Sequence, residues 1–353
     1  MTASGQQAPG DPPPAAAAGT RLRDLVVVGA SAGGVQALRE LVHGLPGDLP
    51  AAMLIVMHMA PGSRGALANI LKRVAALEVT PAEDMMPVRK GCIYVARPDC
   101  HLLLRDGEVR LGRGPRENGA RPAVDPLFRS AARWYASRAV AVVLSGTLDD
   151  GAAGAVAVAR RGGAVAVQDP ADALYDGMPA ATLRAVSSAV VAPVAELPGQ
   201  VTRLVYGPPA ELEDELPPDL VLETDMAELA KQALHSPDRP GVPSPVSCPD
   251  CNGVLFQVDG EPVMRYRCRV GHAWSSDALE AAKDQEVEDA MWVAVRNLEE
   301  RTAMYGELAG RARIGGRARA AGTYEEKGKQ AGHAAEIIRE LLSTGRLGVG
   351  DGS

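Results

Sequence analysis

The chain has 353 residues, enough for one sizeable α/β core and a smaller module. Hydrophobic residues make up 46% and aromatics only 3%, so the core must rest on Ala, Val and Leu. A formal net charge of -7 argues against general nucleic-acid binding, and no apolar run reaches the roughly 18 to 20 residues of a membrane span.

Residues 1–22 are biased to Pro, Ala and Gly and lack the basic start and apolar core of a secretory signal. They read as a disordered leader. The run Leu25 to Gly34, LVVVGASAGG, predicts a buried strand, a glycine turn and a helix over Val35 to Val42. Three readings fit it. Ser31 at the apex of the turn is a candidate nucleophile beside free helix N-terminal amides. The run also resembles a dinucleotide fingerprint, or it is a glycine turn without chemistry. The dinucleotide reading wants an acidic residue ending the second strand. That strand, AAMLIVMHM, carries His58 instead.

A helix is expected over Gly65 to Val74. Short strands follow in residues 91–112, with a hairpin turn at Asp106-Gly107. A helix over Pro126 to Ser137 takes Asp125 as N-cap and Pro126 as its first residue. Ala139 to Gly146 is another apolar strand, and the following glycine-closed helix opens near Asp149-Asp150-Gly151. AVAVQD is a strand, and Pro179 to Val186 a helix. Apolar strands between amphipathic helices predict an α/β fold with a doubly wound, mostly parallel sheet covered on both faces.

The expected organisation is a leader (1–22), a catalytic domain (23–197), a Pro-rich acidic linker (198–245), a Cys/His module (246–276) and a helical tail (277–345). The linker holds one short candidate helix at Asp225 to Leu234. In the tail, Val287, Met291, Ala294, Leu298, Tyr305 and Leu308 form one apolar stripe, interrupted by Arg301. Gly315-Gly316 breaks it, and a second helix over Glu325 to Leu342 completes a helical hairpin. A solvated pair and a partner-binding coil both fit.

Ser31, His58 and Asp150 each follow an apolar strand. In an open parallel sheet the carboxyl ends of the strands share one edge, where ligands bind. There His58 can take the Ser31 proton while a buried carboxylate orients the imidazole. Blander roles stay open. Ser31 can cap a helix, His58 can bond backbone, and Asp150 can cap the helix opening at Gly151, with Asp149 a rival for its place. Asp125 and Arg129 fit a cap or ion pair, and Met178 fits a wall or core. His43, His101 and His235 have no motif around them.

GASAGG, the histidine of VMHMAPG, RPAVDPLFRSAA, SGTLDDGAAG and QDPADALYDGMP occur in the order found in the catalytic domain of the chemotaxis protein-glutamate methylesterase CheB, which residues 25–186 resemble. The resemblance implies that fold, no catalytic cofactor, and Ser31, His58 and Asp150 as nucleophile, base and aspartate. It implies hydrolysis of γ-glutamyl methyl esters on chemoreceptors with release of methanol, and in some members deamidation of receptor glutamines. The family's receiver domain has no counterpart ahead of the match. SGTLDDG stands where a Gly-Met-Gly type sequence is usual, and Ala32 where a threonine is common. A non-catalytic signalling adaptor on an esterase fold is the alternative, although a scaffold has no need of all three residues.

Cys248-Pro249-Asp250-Cys251 and Cys268-Arg269-Val270-Gly271-His272 supply four ligands for structural zinc. The intervening residues suggest a ribbon-like hairpin around Asp259-Gly260. Four protein ligands would close the metal shell. A redox dithiol and unligated cysteines are the other readings. Five unevenly spaced cysteines make no disulfide framework, and Cys92 and Cys100 are expected as free thiols in a reducing cytoplasm. Some relatives of this kind carry a similar ribbon and tail, which suggests docking of a signalling partner or dimerisation.

Overall fold

The computed structural model describes residues 22–63, 65–211, 216–228, 241–258 and 262–344. The expected leader up to residue 21, His235, the hairpin turn at Asp259-Gly260 and residues 229–234 of the candidate linker helix lie outside the described residues. Two compact units divide the chain, residues 1–278 and 279–353.

The first unit is built on β1 (Leu25–Ala30), β2 (Ala52–Met57), β3 (Glu78–Pro81), β4 (Cys92–Val95), the hairpin β5 (His101–Arg105) and β6 (Glu108–Gly112), then β7 (Ala139–Val143), β8 (Ala164–Gln168) and β9 (Val190–Ala192). All but the hairpin form one seven-stranded sheet in the order β3-β4-β2-β1-β7-β8-β9. Every pairing in it is parallel. The helices are α1 (Gly34–His43), α2 (Leu67–Lys72), α3 (Val124–Trp134), α4 (Ala152–Arg160), α5 (Gly177–Ala185), α6 (Leu197–Tyr206) and α7 (Pro218–Ala227).

Strand residues alternate between two cores. Leu25, Val27, Leu54 and Val143 face Leu127, Phe128 and Val158 of α3 and α4. Val26, Val28, Ile55 and Val142 face Leu38, Leu41, Leu71 and Val201 of α1, α2 and α6. Burying a Val or Leu side chain contributes about 1.5–3 kcal/mol, which is why the strands are apolar on both sides.

Three local expectations are corrected. First, α3 starts at Val124, with Ala123 as its N-cap, so neither Asp125 nor Pro126 holds the expected position. Pro126 is tolerated in the first turn, where backbone N–H groups have no intrahelical acceptor. Second, the chain does not become linker at 198. Val201 and Val205 of α6 lie in the sheet core, because the Val201, Leu204, Val205 spacing outweighs the Pro198-Gly199 signal. Third, among the described residues of the expected linker a helix, α7, already begins at Pro218, upstream of the expected start at Asp225. The edge strands β3 and β9, at four and three residues, are too short to carry a sequence pattern of their own.

A second, antiparallel sheet follows: β10 (Val242–Ser247), β11 (Val254–Val258), β12 (Arg265–Cys268) and β13 (Ala273–Ser275), in that order. It packs on the α/β body through buried ions. Arg129 of α3 meets Glu117 at 2.5 Å and Glu223 of α7 at 3.1 Å, Arg265 meets Glu223 at 2.6 Å, and Arg267 meets Glu117 at 3.3 Å. Burial works against ionisation of Glu223, but Arg265, Arg129 and Arg267 outweigh it and hold the carboxyl down to about 2.

The second unit holds most of α8 (Ser276–Ile314) together with α9 (Ala318–Ser343), divided at Gly315-Gly316. Its seam differs from the expected stripe. Val287 is exposed, whereas Val295, Ala309 and Ala312 are buried, as are Ala321, Ala331 and Ala335 of α9. Tyr305 stacks on Tyr324 with ring centroids 6.3 Å apart, and Thr302 approaches Gly328. Small residues on α9 let the helices lie close. No helix among the described residues is long and apolar enough to cross a membrane.

Candidate active site

The strand order reverses at β1, which lies between β2 and β7, so the carboxyl ends of these three strands are neighbours. Ser31 follows β1, and its amide donates to the Ser145 carbonyl at 3.0 Å. The turn into α1 needs Gly33, whose φ of 73° is left-handed. His58 follows β2, with its amide on the Ala30 carbonyl at 3.2 Å. Asp150 lies in the turn between β7 and α4.

These three residues meet. His58 Nδ1 is 3.0 Å from Ser31 Oγ, and His58 Nε2 is 2.6 Å from Asp150 Oδ2. With the ring proton on Nε2, that nitrogen donates to the carboxylate, and Nδ1 is left to accept from the serine hydroxyl. Ser31 and His58 are half-buried and Asp150 is buried.

Asp150 is held by more than the imidazole. Oδ2 also accepts from the Val124 amide at 2.7 Å, and Oδ1 accepts from the Asp125 amide at 3.1 Å and from Asn118 Nδ2 at 3.1 Å. Burial opposes its ionisation, but the hydrogen bond and charge of His58 and the two helix amides outweigh this. The carboxyl is held below the usual range. Asp150 thus satisfies the N-terminus of α3, not that of α4. Asp125 does the reverse: its Oδ1 accepts from Gly151 N at 3.1 Å and Gly154 N at 2.6 Å, at the start of α4. Burial, then the nearby Asp150 charge, push Asp125 up to about 7.

Asp149 does not face the imidazole. It accepts from the Ser275 hydroxyl of β13, and burial raises its carboxyl to about 6. Met178 is fully buried, against the turn below Ser31. A Cβ at Gly146 would fall 2.1 Å from Met178 Sδ and 2.9 Å from Ser31 Cβ, so glycine is required there. Leu148, Leu174 and Tyr175, on the loops around Ser31, are exposed. Leu148 has φ 60°, unusual for a bulky residue, in the segment that departs from the family pattern.

Arg129 belongs to the buried ion cluster. His101 is a core histidine, with Nε2 at 2.9 Å from the Pro115 carbonyl and its pKa lowered by burial. His43 is exposed, bonded to the Val74 carbonyl. Asn118 escaped the sequence reading, although Asn118-Gly119 is a tight-turn signal that could have drawn attention to it.

Apart from this constellation, Cys248, Cys251, Cys268 and His272 bring their ligand atoms within 4.8 Å of one another. Cys251 and Cys268 Sγ are 3.6 Å apart, and His272 Nδ1 is 3.5 Å from Cys268 Sγ and 3.7 Å from Cys248 Sγ. A tetrahedron with metal–sulfur bonds of about 2.3 Å has edges of about 3.8 Å, so the cluster fits one such ion. Burial raises the Cys248 thiol to about 12, so ionised sulfur there needs a cation. Cys92 and Cys100 are free thiols.

Residues 26–201 match the family model described as CheB methylesterase. A curated relative from Methanosarcina mazei, named protein-glutamate methylesterase/protein-glutamine glutaminase 2, is 36% identical over 194 residues, 53% of each chain. One of the same name from Caulobacter vibrioides is 38% identical over 179 residues, 49% of this chain and 52% of the relative. The crystal structure of the Thermotoga maritima CheB methylesterase catalytic domain is 35% identical, covering 52% of this chain and 98% of that one, with a TM-score of 0.49. The chain spans about half the length of the curated relatives it matches.

Proposed function

The chain carries a CheB methylesterase domain over residues 26–201, and from that premise we propose that it hydrolyses γ-glutamyl methyl esters on a chemoreceptor-like protein. The observation that carries the reading is the hydroxyl–imidazole–carboxylate chain, at 3.0 and 2.6 Å. Ser31 Oγ attacks the ester carbonyl as its proton passes to His58 Nδ1. Asp150 fixes the ring and stabilises the imidazolium. The tetrahedral oxyanion lies against the Ala32 and Gly33 amides at the start of α1. Collapse expels methoxide, which takes the proton from His58 and leaves as methanol. Water then gives a proton to His58 and attacks the acyl-Ser31, releasing glutamate and restoring the hydroxyl. A glutamine side chain would follow the same course with ammonia as leaving group, in keeping with the glutaminase in the relatives' name. Leu148, Leu174 and Tyr175 offer an apolar rim to a protein substrate.

The Cys/His cluster would hold structural Zn²⁺ through Cys248, Cys251, Cys268 and His272. Four protein ligands leave no position for substrate, so the ion's contribution is to fold the ribbon. Three reduced ligand thiols and two further free thiols fit the cytoplasm. The ribbon and helix pair are the proposed contact for a signalling partner.

The test is methanol release from methyl-labelled receptor membranes by the parent chain and by Ser31→Ala. The variant is expected to lose about 10⁴-fold or more in kcat. Equal release by both would remove Ser31 from the mechanism. For the metal, the purified chain is expected to hold one equivalent of zinc, and chelation should expose three thiols to a thiol reagent beyond those of Cys92 and Cys100.

A further inference from the structure

We infer that Asn118 is a positioning residue for Asp150, and that the ribbon strand β13 in turn holds Asn118, which makes the ribbon part of the active-site support. The inference rests on the esterase reading for its catalytic consequence.

The Asp150 carboxylate has four donors: His58, the Val124 and Asp125 amides, and Asn118 Nδ2. Apart from the imidazole itself, Asn118 is the one side chain among them. Without it Oδ1 keeps a single bond, at 3.1 Å from the Asp125 amide, and the carboxylate gains freedom to rotate away from Nε2.

Asn118 sits at φ 51° and Gly119 at φ 70°, in a tight turn closed by bridge pairing of Glu117 with Ala120. Two successive left-handed residues favour Asn-Gly. The turn is fastened from the ribbon side. The Asn118 amide donates to the Ala273 carbonyl at 2.8 Å, and the Ala273 amide donates to the Arg116 carbonyl at 3.2 Å. The Asn118 side-chain carbonyl accepts from the Ser275 amide at 2.8 Å. The one carboxamide therefore spans ribbon backbone and triad carboxylate, with each half suited to its partner. Two further contacts reinforce the same junction. Arg267 of β12 reaches Glu117, next in sequence to Asn118, and the Ser275 hydroxyl donates to Asp149, next to Asp150.

The test uses the full chain. Asn118→Asp tolerates the left-handed backbone and keeps an acceptor for the Ser275 amide, but turns an oxygen instead of an N–H toward Asp150. Asn118→Gly keeps the turn and drops both side-chain bonds. Both are expected to lower kcat roughly 10- to 100-fold with KM within about twofold. Both should also shift or broaden the low-field proton resonance of the His58–Asp150 hydrogen bond. An unmoved resonance overturns the positioning role, whether or not kcat falls. For the ribbon half, native-state hydrogen exchange of the parent should show the Asn118, Ala273 and Ser275 amides opening as one unit. Independent exchange of Asn118 overturns it. If the parent releases no methanol, the esterase reading fails, while the resonance and exchange results still decide whether Asn118 couples ribbon to carboxylate.

Discussion

In the seven-stranded sheet, β1, β2 and β7 bury apolar side chains on both faces. Among its described residues the four-stranded ribbon buries little that is apolar beyond Leu255, Val258, Ala273 and Trp274. The ribbon relies instead on three arginines and two glutamates against the body, and on a Cys/His cluster within itself. A core of hydrocarbon tolerates losses piecemeal, since each residue contributes its own share. A buried ion cluster does not, because removing one member leaves the others charged and unsolvated.

Glu223→Ala should expose that difference most. It leaves Arg129 and Arg265 without their shared anion and is expected to cost about 3–5 kcal/mol, read by denaturant unfolding. Loss of β12–β13 contacts should appear in hydrogen exchange before the sheet opens. Leu54→Ala, in the middle of the sheet, should cost about 2–5 kcal/mol, with sheet and ribbon melting together. A ribbon that outlives the sheet in that variant would break the comparison.

A smaller effect follows pH. Asp125 is raised to about 7 and Asp149 to about 6, against 3.8 for the unfolded group. The folded state therefore binds their protons more tightly. This stabilisation is complete below about 3.8 and is lost as pH rises toward 7. Glu223 acts in the opposite sense, its contribution vanishing as pH falls from 4.5 toward 2. Asp125→Asn keeps the acceptor for the Gly151 and Gly154 amides and should flatten the decline between pH 4 and 7, measured by thermal unfolding across that range. An unchanged slope would assign it to other groups.

The sheet and the meeting of Ser31 with His58 were legible because strand periodicity and polar strand ends are local signals, whereas Asp150 was separated from its neighbour Asp149 only by the family resemblance. The exchange of caps was not. Asp125 reads as the cap of its own helix, yet it serves α4 while Asp150 serves α3, a swap made possible only by the packing of those helices. Helix α6 was hidden by Pro198-Gly199 at its start. The Asn118 junction was least accessible, since its donors and acceptors lie on segments with no shared periodicity. The Asn-Gly turn announces a bend but not what it touches.

Asn118 and Ser275 are 157 positions apart in the sequence. During synthesis a ribosome delivers the serine, the histidine and the aspartate well before the segment that braces their loop. On the proposed esterase reading, the nascent chain would carry Ser31, His58 and Asp150 ahead of their final alignment, and full turnover would begin only once the later segment has emerged and docked.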